Sequence, residues 1–457
     1  MQGRRLGARI VLMAWVLLLV LVATATTTAA QEWRAGTAAV SFSPRPQDLE
    51  DGIYLGGYGA YQERGKAVGT YAPIYVRSLA LTDGKERLLL LTLDAVGIDN
   101  QLLARIRDGA SKATGWPEDR IWVAATHTHS APDLQGLWGG TAPAYRAYVV
   151  LRTTQAARQA VDALEPVELA ATSLRASGLG LNRRSWAFTD ETLSLLVARR
   201  PSGDTVAMVV NVGMHPTLLG AGNLLISPDW VGPMLSALEE WYGGTVLFVN
   251  GAEGDVVPAD TLPGLTGATE YGLRVALQAD QALRRLPSPA GASRAAATRA
   301  AGAPGPAPSA PGGTVSPAAR WVTLEPELAV SVGEVSLPVQ NQAFIQAIQR
   351  GILQYDVQQT EGGLSITTRV GHAVLGRAPQ QAEMLTVPGE AVTRLGIQLR
   401  GLMQSPTSFL LGLTQDTLGY FIPWDEWMTG RNGNYEESVS LGVTPAVLLH
   451  QALSGLP

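Results

Sequence analysis

Five histidines, His127, His129, His215, His372 and His450, carry most of the coordination chemistry open to this chain. The sequence has no cysteine, which excludes a thiolate nucleophile, a Cys-ligated zinc or iron–sulfur site and a disulfide framework. A metal ion must therefore sit on His, Asp, Glu or Tyr. His127 and His129 form a His-x-His pair. In extended backbone, residues i and i+2 point to one face, so both imidazoles can serve one site. Neutral imidazole is a good zinc ligand, and a catalytic zinc needs about three protein ligands plus water. The competing reading is a polar strand end with two hydrogen-bonded histidines. His215, in Met214-His-Pro-Thr217, reads as structural when taken alone and gains weight beside His127. Glu390, in Pro388-Gly-Glu390, falls at the expected start of a helix, where the helix dipole favours a carboxylate. Asp255, in Gly251-Ala-Glu-Gly-Asp255, is either an orienting partner for a metal-bound histidine or a plain turn aspartate. That segment is no phosphate cradle, because it lacks the Gly-Lys-Ser/Thr pattern and any nearby lysine.

The elements that must position these side chains follow one pattern. Ile121–Ala125 leads into Thr126-His-Thr-His-Ser130, and Met208–Val212 leads into Gly213-Met-His-Pro-Thr217. Val246–Val249 leads into Asn250–Asp255, and Phe409–Leu411 leads into Gly412–Asp416, with Gly419-Tyr420 just beyond. Each polar cluster thus follows an apolar strand, and loops at strand C-terminal ends gather sites in sheet-containing enzymes. Four such loops suggest one shared pocket.

Around them, Ile74–Thr82 and Leu88–Asp94 read as paired strands turning at Asp83-Gly84. Thr205–Val212 and Thr245–Val249 read as buried strands, and Trp321–Val339 alternates in strand fashion. The spacing predicts helices over Gln101–Thr114, Pro143–Leu164, Trp230–Tyr242, Thr269–Arg285, Asn341–Leu353 and Glu390–Gln404. The mix points to an α/β fold with mixed β-sheets flanked by helices, in αββα-like layers. Ser288–Ala319 is almost wholly Pro, Ala, Gly, Ser and Thr. Such a segment cannot bury enough apolar surface to offset its ordering entropy and reads as a disordered insertion within the domain that begins at Gln31.

The chain has 457 residues, 46% hydrophobic, with net charge −5. Only 16% are charged, against roughly 25% in typical domains. No basic stripe points to nucleic acid. Arg4, Arg5 and Arg9 precede an apolar run from Ile10 to Ala23, and Thr28-Ala29-Ala30 offers a small-residue cleavage site. That pattern predicts a signal peptide over residues 1–30 and a secreted, periplasmic or cell-envelope protein, with an uncleaved anchor as the alternative.

The ordered set of motifs resembles the neutral/alkaline ceramidases. It comprises Thr126-His-Thr-His-Ser-Ala-Pro132, His215-Pro-Thr217, Ser227-Pro-Asp229, Gly254-Asp-Val256, Pro388-Gly-Glu390 and Gly419-Tyr420. Gly57-Tyr58, Ile74–Arg77, Leu93-Asp94 and Tyr435-Glu436 through Leu441-Gly442 extend the resemblance over most of residues 34 to 445. The resemblance implies an amide hydrolase of ceramide or another N-acyl lipid, with one zinc ion and a metal-activated water. Carried over, the metal ligands are His127, His215, Glu390 and Tyr420. His129 becomes the acid/base group, and Arg183 or Arg184 the substrate-contacting arginine. A lipid-like substrate implies transient contact with a membrane surface. Val257 stands where the family commonly has serine, which excludes a seryl-enzyme route through that position. The family's C-terminal β-sandwich is not matched by this sequence, which leaves two rivals. One is a hydrolase of a different amide or ester; the other is a non-catalytic envelope binding protein.

Overall fold

The computed structural model describes residues 31–59, 64–288, 320–353 and 355–457. The expected signal peptide and the expected insertion, Ser288 apart, lie outside the described residues. Within them, two sheets stack face to face, and helices cover both outer faces.

The larger sheet runs in the order Thr245–Asn250, Thr205–Val212, Thr192–Arg199, Glu165–Arg175, Trp33–Ser41, Tyr75–Thr82, Arg87–Leu93, Ile121–Ala125. Val322–Leu324 adds beside Glu165–Arg175. Its two ends are parallel pairs, and its middle is antiparallel. The second sheet orders Leu328–Pro338, Gly363–Arg377, Gln380–Thr386 and Ser408–Leu411, with the last pair parallel.

Strand Arg87–Leu93 explains the layering. It is a continuous apolar run because both of its faces are buried. Leu88 and Leu90 point between the sheets, where they meet Trp122, Met384 and Phe409. Leu89, Leu91 and Leu93 point the other way, into a core closed by helices Asn100–Thr114 and Pro143–Asp162. Helices Val231–Tyr242 and Gly264–Leu283 cover the rest of that face, with Trp230 edge-on to Phe248 and Tyr271. Helices Gln342–Gln349, Thr393–Arg400 and Pro445–Ser454 cover the outer face of the second sheet. The result is the expected α/β arrangement of mixed sheets in αββα layers.

One expected helix changes in a way that matters. Glu390 does not open a helix. Glu390–Ala391 pairs as a short parallel ladder with Tyr420–Phe421, and the helix spans Thr393–Arg400. Backbone pairing across the fold outweighs the local helix preference here, and the dipole argument for Glu390 falls with it. Among the described residues, no helix is long and apolar enough to cross a membrane.

Candidate metal centre

The four polar loops do meet. Ala125 N–H donates to Leu413 O (3.1 Å), and Gly412 N–H donates to Asn250 O (2.9 Å). The Asn250 side-chain amide bonds Thr126 O (3.3 Å) and Met214 O (3.0 Å), so one residue ties three of the loops together. Glycine is needed at 412, where a Cβ would lie 2.2 Å from Gly251 O and 2.7 Å from Glu253 Oε2.

His127 and His129 face one centre, but not as residues of a strand. The strand ends at Ala125, and His127 adopts a left-handed φ of 70°. Such backbone is costly for a residue with a Cβ and persists only where its surroundings fix it. Here His127 N–H is held by Ala95 O (2.9 Å), and His129 N–H by Pro216 O (3.1 Å), which joins this loop to that of His215. The His215 loop is locked in turn by Ser227-Pro-Asp229. The Asp229 carboxylate accepts from the N–H groups of Leu218, Leu219 and Trp230, and Trp230 Nε1 donates to His215 O (3.1 Å).

The two imidazoles present the same nitrogen. His127 Nδ1 donates to Val96 O (2.6 Å) and His215 Nδ1 to Val256 O (3.0 Å). A carbonyl can only accept, so Nδ1 is the donor in both rings, and a neutral ring then carries its lone pair on Nε2. Each Nε2 lies 3.3 Å from Glu390 Oε2, itself an acceptor when ionised. Burial, followed by the Arg183 charge, pushes the His215 pKa down to about 4, so its ring is neutral at pH 7. Burial opposes charge on Glu390, yet His127 and His215 hold its carboxyl well below the usual range. The Nε2 lone pair of His215, Nε2 of His127 and the Glu390 carboxylate thus converge. His215 Nε2 and Glu390 Oε2 are buried without a hydrogen-bond partner. That donor set and those orphaned atoms fit a divalent cation. His129 Nε2 lies 3.2 Å from His127 Nε2, and the ligand atoms of the three histidines fall within 4.8 Å of one another.

Tyr420 and Glu390 line the same pocket as His127 and His129. Arg183 Nη2 donates to the Tyr420 hydroxyl (2.9 Å) and to Gly254 O (2.8 Å). The structure separates the two arginines left open above. Arg184 is fully buried away from Tyr420 and bonds Glu436 and Glu437. It therefore packs the loop rather than facing the pocket. Asp255 does not orient a histidine either, since backbone carbonyls fill that role. Its carboxylate takes Thr393 N–H (2.7 Å), Thr393 Oγ1 (2.7 Å) and Asn182 Nδ2 (2.8 Å), fastening the arginine loop to the segment after Glu390. His372 sits elsewhere, 3.0 Å from Glu383 on the second sheet.

The overall arrangement was compared with known proteins. It matches a crystal structure of neutral ceramidase from Pseudomonas aeruginosa with a TM-score of 0.67 over 93% of this chain and 74% of that one. A second match with the same TM-score and coverage is a ceramidase complexed with C2. Sequence identities are 16% and 15%. The fold is that of the neutral ceramidases. No family model and no curated protein matches the chain by sequence.

Within this ceramidase fold, three residues near the centre carried no sequence signal that marked them as parts of the site. Tyr58 sits edge-on to His129 at 4.8 Å, and its hydroxyl donates to Thr217 O (2.7 Å). Arg64 donates to His129 O and Gly56 O. Glu253 is wholly buried with neither carboxylate oxygen hydrogen-bonded, and burial, then Glu390, pushes its pKa well up. Only a three-dimensional neighbourhood reveals such residues. The Gly57-Tyr58 dipeptide was legible as a motif, not as a site wall.

Proposed function

We propose that this chain is a metal-dependent hydrolase related to the neutral ceramidases and that it cleaves the amide bond of a lipid-like N-acyl substrate. The observation that carries this reading is the convergence of His127 Nε2, His215 Nε2 and the ionised Glu390 carboxylate on one point at the wall of a pocket. One zinc ion is held by His127, His215, Glu390 and Tyr420. Zinc there supplies Lewis acidity toward a carbonyl oxygen and brings the pKa of water toward ~7.

The remaining chemistry belongs to the chain. Val96 O and Val256 O fix the ring orientation of the two ligand histidines, as carbonyl partners do for metal-bound imidazole. His129 is the proton carrier. Burial, followed by its neighbours His127 and His215, drives its pKa well down, so it is a free base at pH 7. Its Nδ1 is buried with no partner, unlike those of the other two rings. Its Nε2, 3.2 Å from His127 Nε2, faces the centre and is the atom that accepts a proton from water and returns it to the departing amine nitrogen. The Arg183 guanidinium, which donates to the Tyr420 hydroxyl, stabilises negative charge on the substrate carbonyl oxygen in the transition state. Burial works against its charge, but Tyr420 and Glu436 keep it fully protonated. Val257 pairs with Leu181 in a short ladder and contributes no nucleophile.

The exported location expected from residues 1–30 places such an enzyme where extracellular or envelope lipids are its substrates. The test is hydrolysis of a panel of N-acyl amides and matched esters, with and without a chelator. Release of fatty acid from amides, abolished by chelation and restored by zinc, is expected. Failure to cleave any amide with zinc bound contradicts the proposal.

A further inference from the structure

The pocket at the metal centre is blind. Its partly exposed rim is made by Tyr58, Gly59 and Tyr435. Its apolar walls are Val96, Leu137, Trp138, Phe344, Leu353 and Val439, each at most 9% exposed. All six belong to the single apolar core under the outer helices. The cavity is therefore a notch in that core, not a channel through it. Its free space is about 30 Å³, far below the ~300–1,000 Å³ typical of ligand pockets, so only a small group enters without displacing side chains.

The closed end is pinned. Tyr355 donates its hydroxyl to Thr417 O (2.6 Å), and Gln135 Nε2 donates to the same carbonyl (3.1 Å) and to the Tyr355 oxygen (3.2 Å). The next residue is fastened as well. Asp356 N–H donates to Asn100 Oδ1 (2.9 Å), and Gln101 Nε2 donates to Asp356 Oδ1 (2.9 Å). These bonds hold the segment carrying Leu353 against helix Asn100–Thr114. Phe344, from helix Gln342–Gln349, lines the pocket beside Gly419. The apolar walls hold no carboxylate to meet an amine, so the acyl half of an N-acyl amide enters here and the amine half faces the rim.

We infer that this site selects a short acyl group, and that Phe344 and Leu353, which line the pocket, set the limit on chain length. The inference rests on the amide-hydrolase reading for its substrate and on the pocket alone for its size limit. Each methylene that enters the notch strengthens binding about fourfold. A chain that outgrows it must displace packed core, and that gain stops or reverses.

The experiment has two arms on the full chain. In the first, kcat/KM is measured for one amine acylated with acetyl through palmitoyl groups. In the second, binding of the free carboxylic acids of the same lengths is followed by calorimetry, which needs no turnover. The wild type is expected to peak at the shortest chains in both arms. Phe344→Ala and the milder Phe344→Leu raise the dodecanoyl-to-butanoyl ratio at least about tenfold, as adding pocket space for methylenes should. Val439→Leu, which narrows the notch without removing core, steepens the fall with chain length. Binding and turnover that keep improving to palmitoyl in the wild type overturn the inference. Variants that change all lengths equally do the same. A length limit in the acid-binding arm without cleavage of any amide sustains the size limit and removes the amide-hydrolase reading instead.

Discussion

Glu390 is the direct register partner of Tyr420 in a two-stranded parallel ladder, and both side chains line one pocket. Backbone hydrogen bonding thereby sets the spacing of a carboxylate and a phenol drawn from separate segments. Glu390 N–H is bonded to Gly419 O (2.9 Å) and Tyr420 N–H to Val439 O (3.1 Å), so neither residue depends on its side chain for placement. Glu390→Gln keeps this ladder and removes the charge facing His127 and His215. Zinc affinity should fall by more than the ~10–100-fold typical of losing an outer partner of a metal ligand. Thermal unfolding of the zinc-free protein should change little. Competition with a fluorescent chelator and a melting curve read the two quantities separately.

Arg183 and Arg184 are neighbours in sequence with opposite expected phenotypes. Arg183→Lys keeps a cation near Glu436 but loses the geometry that reaches both Gly254 O and Tyr420. It should fold normally and lose about a hundredfold or more in kcat, with a smaller change in KM. Arg184→Ala deprives the buried Glu437 carboxylate of its cation, leaves Glu436 to Arg183 and Asn432, and should cost about 3–5 kcal/mol of stability. Denaturant melts and steady-state kinetics on the pair check both directions. A normally folded Arg184→Ala protein would contradict this division.

Gly57 offers a way to displace His129 without touching the proposed ligands. A Cβ at Gly57 would lie 2.2 Å from His129 Nδ1, and the backbone φ there is 91°, a region most side chains avoid. Gly57→Ala and His129→Ala should both retain stoichiometric zinc and lose at least about a hundredfold in turnover. Loss of metal from His129→Ala would make His129 a ligand instead of a proton carrier.

A separate pH effect comes from Asp416, which is buried beside Arg107. Burial pushes its pKa up to about 7. A carboxyl raised on folding binds a proton that the unfolded chain has lost. Its stabilising contribution is complete below the unfolded value near 3.8 and disappears as pH rises through about 7. Asp416→Asn keeps the acceptor for Thr417 N–H and removes the titration. The variant should gain stability over wild type at pH 8 by an amount on the order of 4 kcal/mol relative to the difference at pH 4. Urea melts across that range measure it.

Much of the fold was legible because its strands are long apolar runs with clear ends. Thr205–Val212 and Arg87–Leu93 needed no partner to be recognised, and Gly115, at φ 72°, marks the end of helix Asn100–Thr114 as its sequence suggested. The gathering of four loops was legible for the same reason, since each follows such a strand. What was hidden depends on distant pairing. Glu390 looked like a helix start because nothing local announces Tyr420 as its ladder partner. The backbone of His127 leaves the extended region because contacts from Ala95 and Pro216 hold its loop, and no sequence period encodes them. The choice between Arg183 and Arg184 turned on Glu436 and Glu437, more than two hundred residues later in the numbering.

The central claim is a single divalent cation held by His127, His215, Glu390 and Tyr420. Metal analysis of the purified wild type beside His127→Ala tests it most directly. The account predicts about one zinc per chain in the wild type and little in the variant, with the fold intact by circular dichroism. Wild-type protein without stoichiometric metal after zinc loading, or a His127→Ala protein that keeps its zinc, would contradict it.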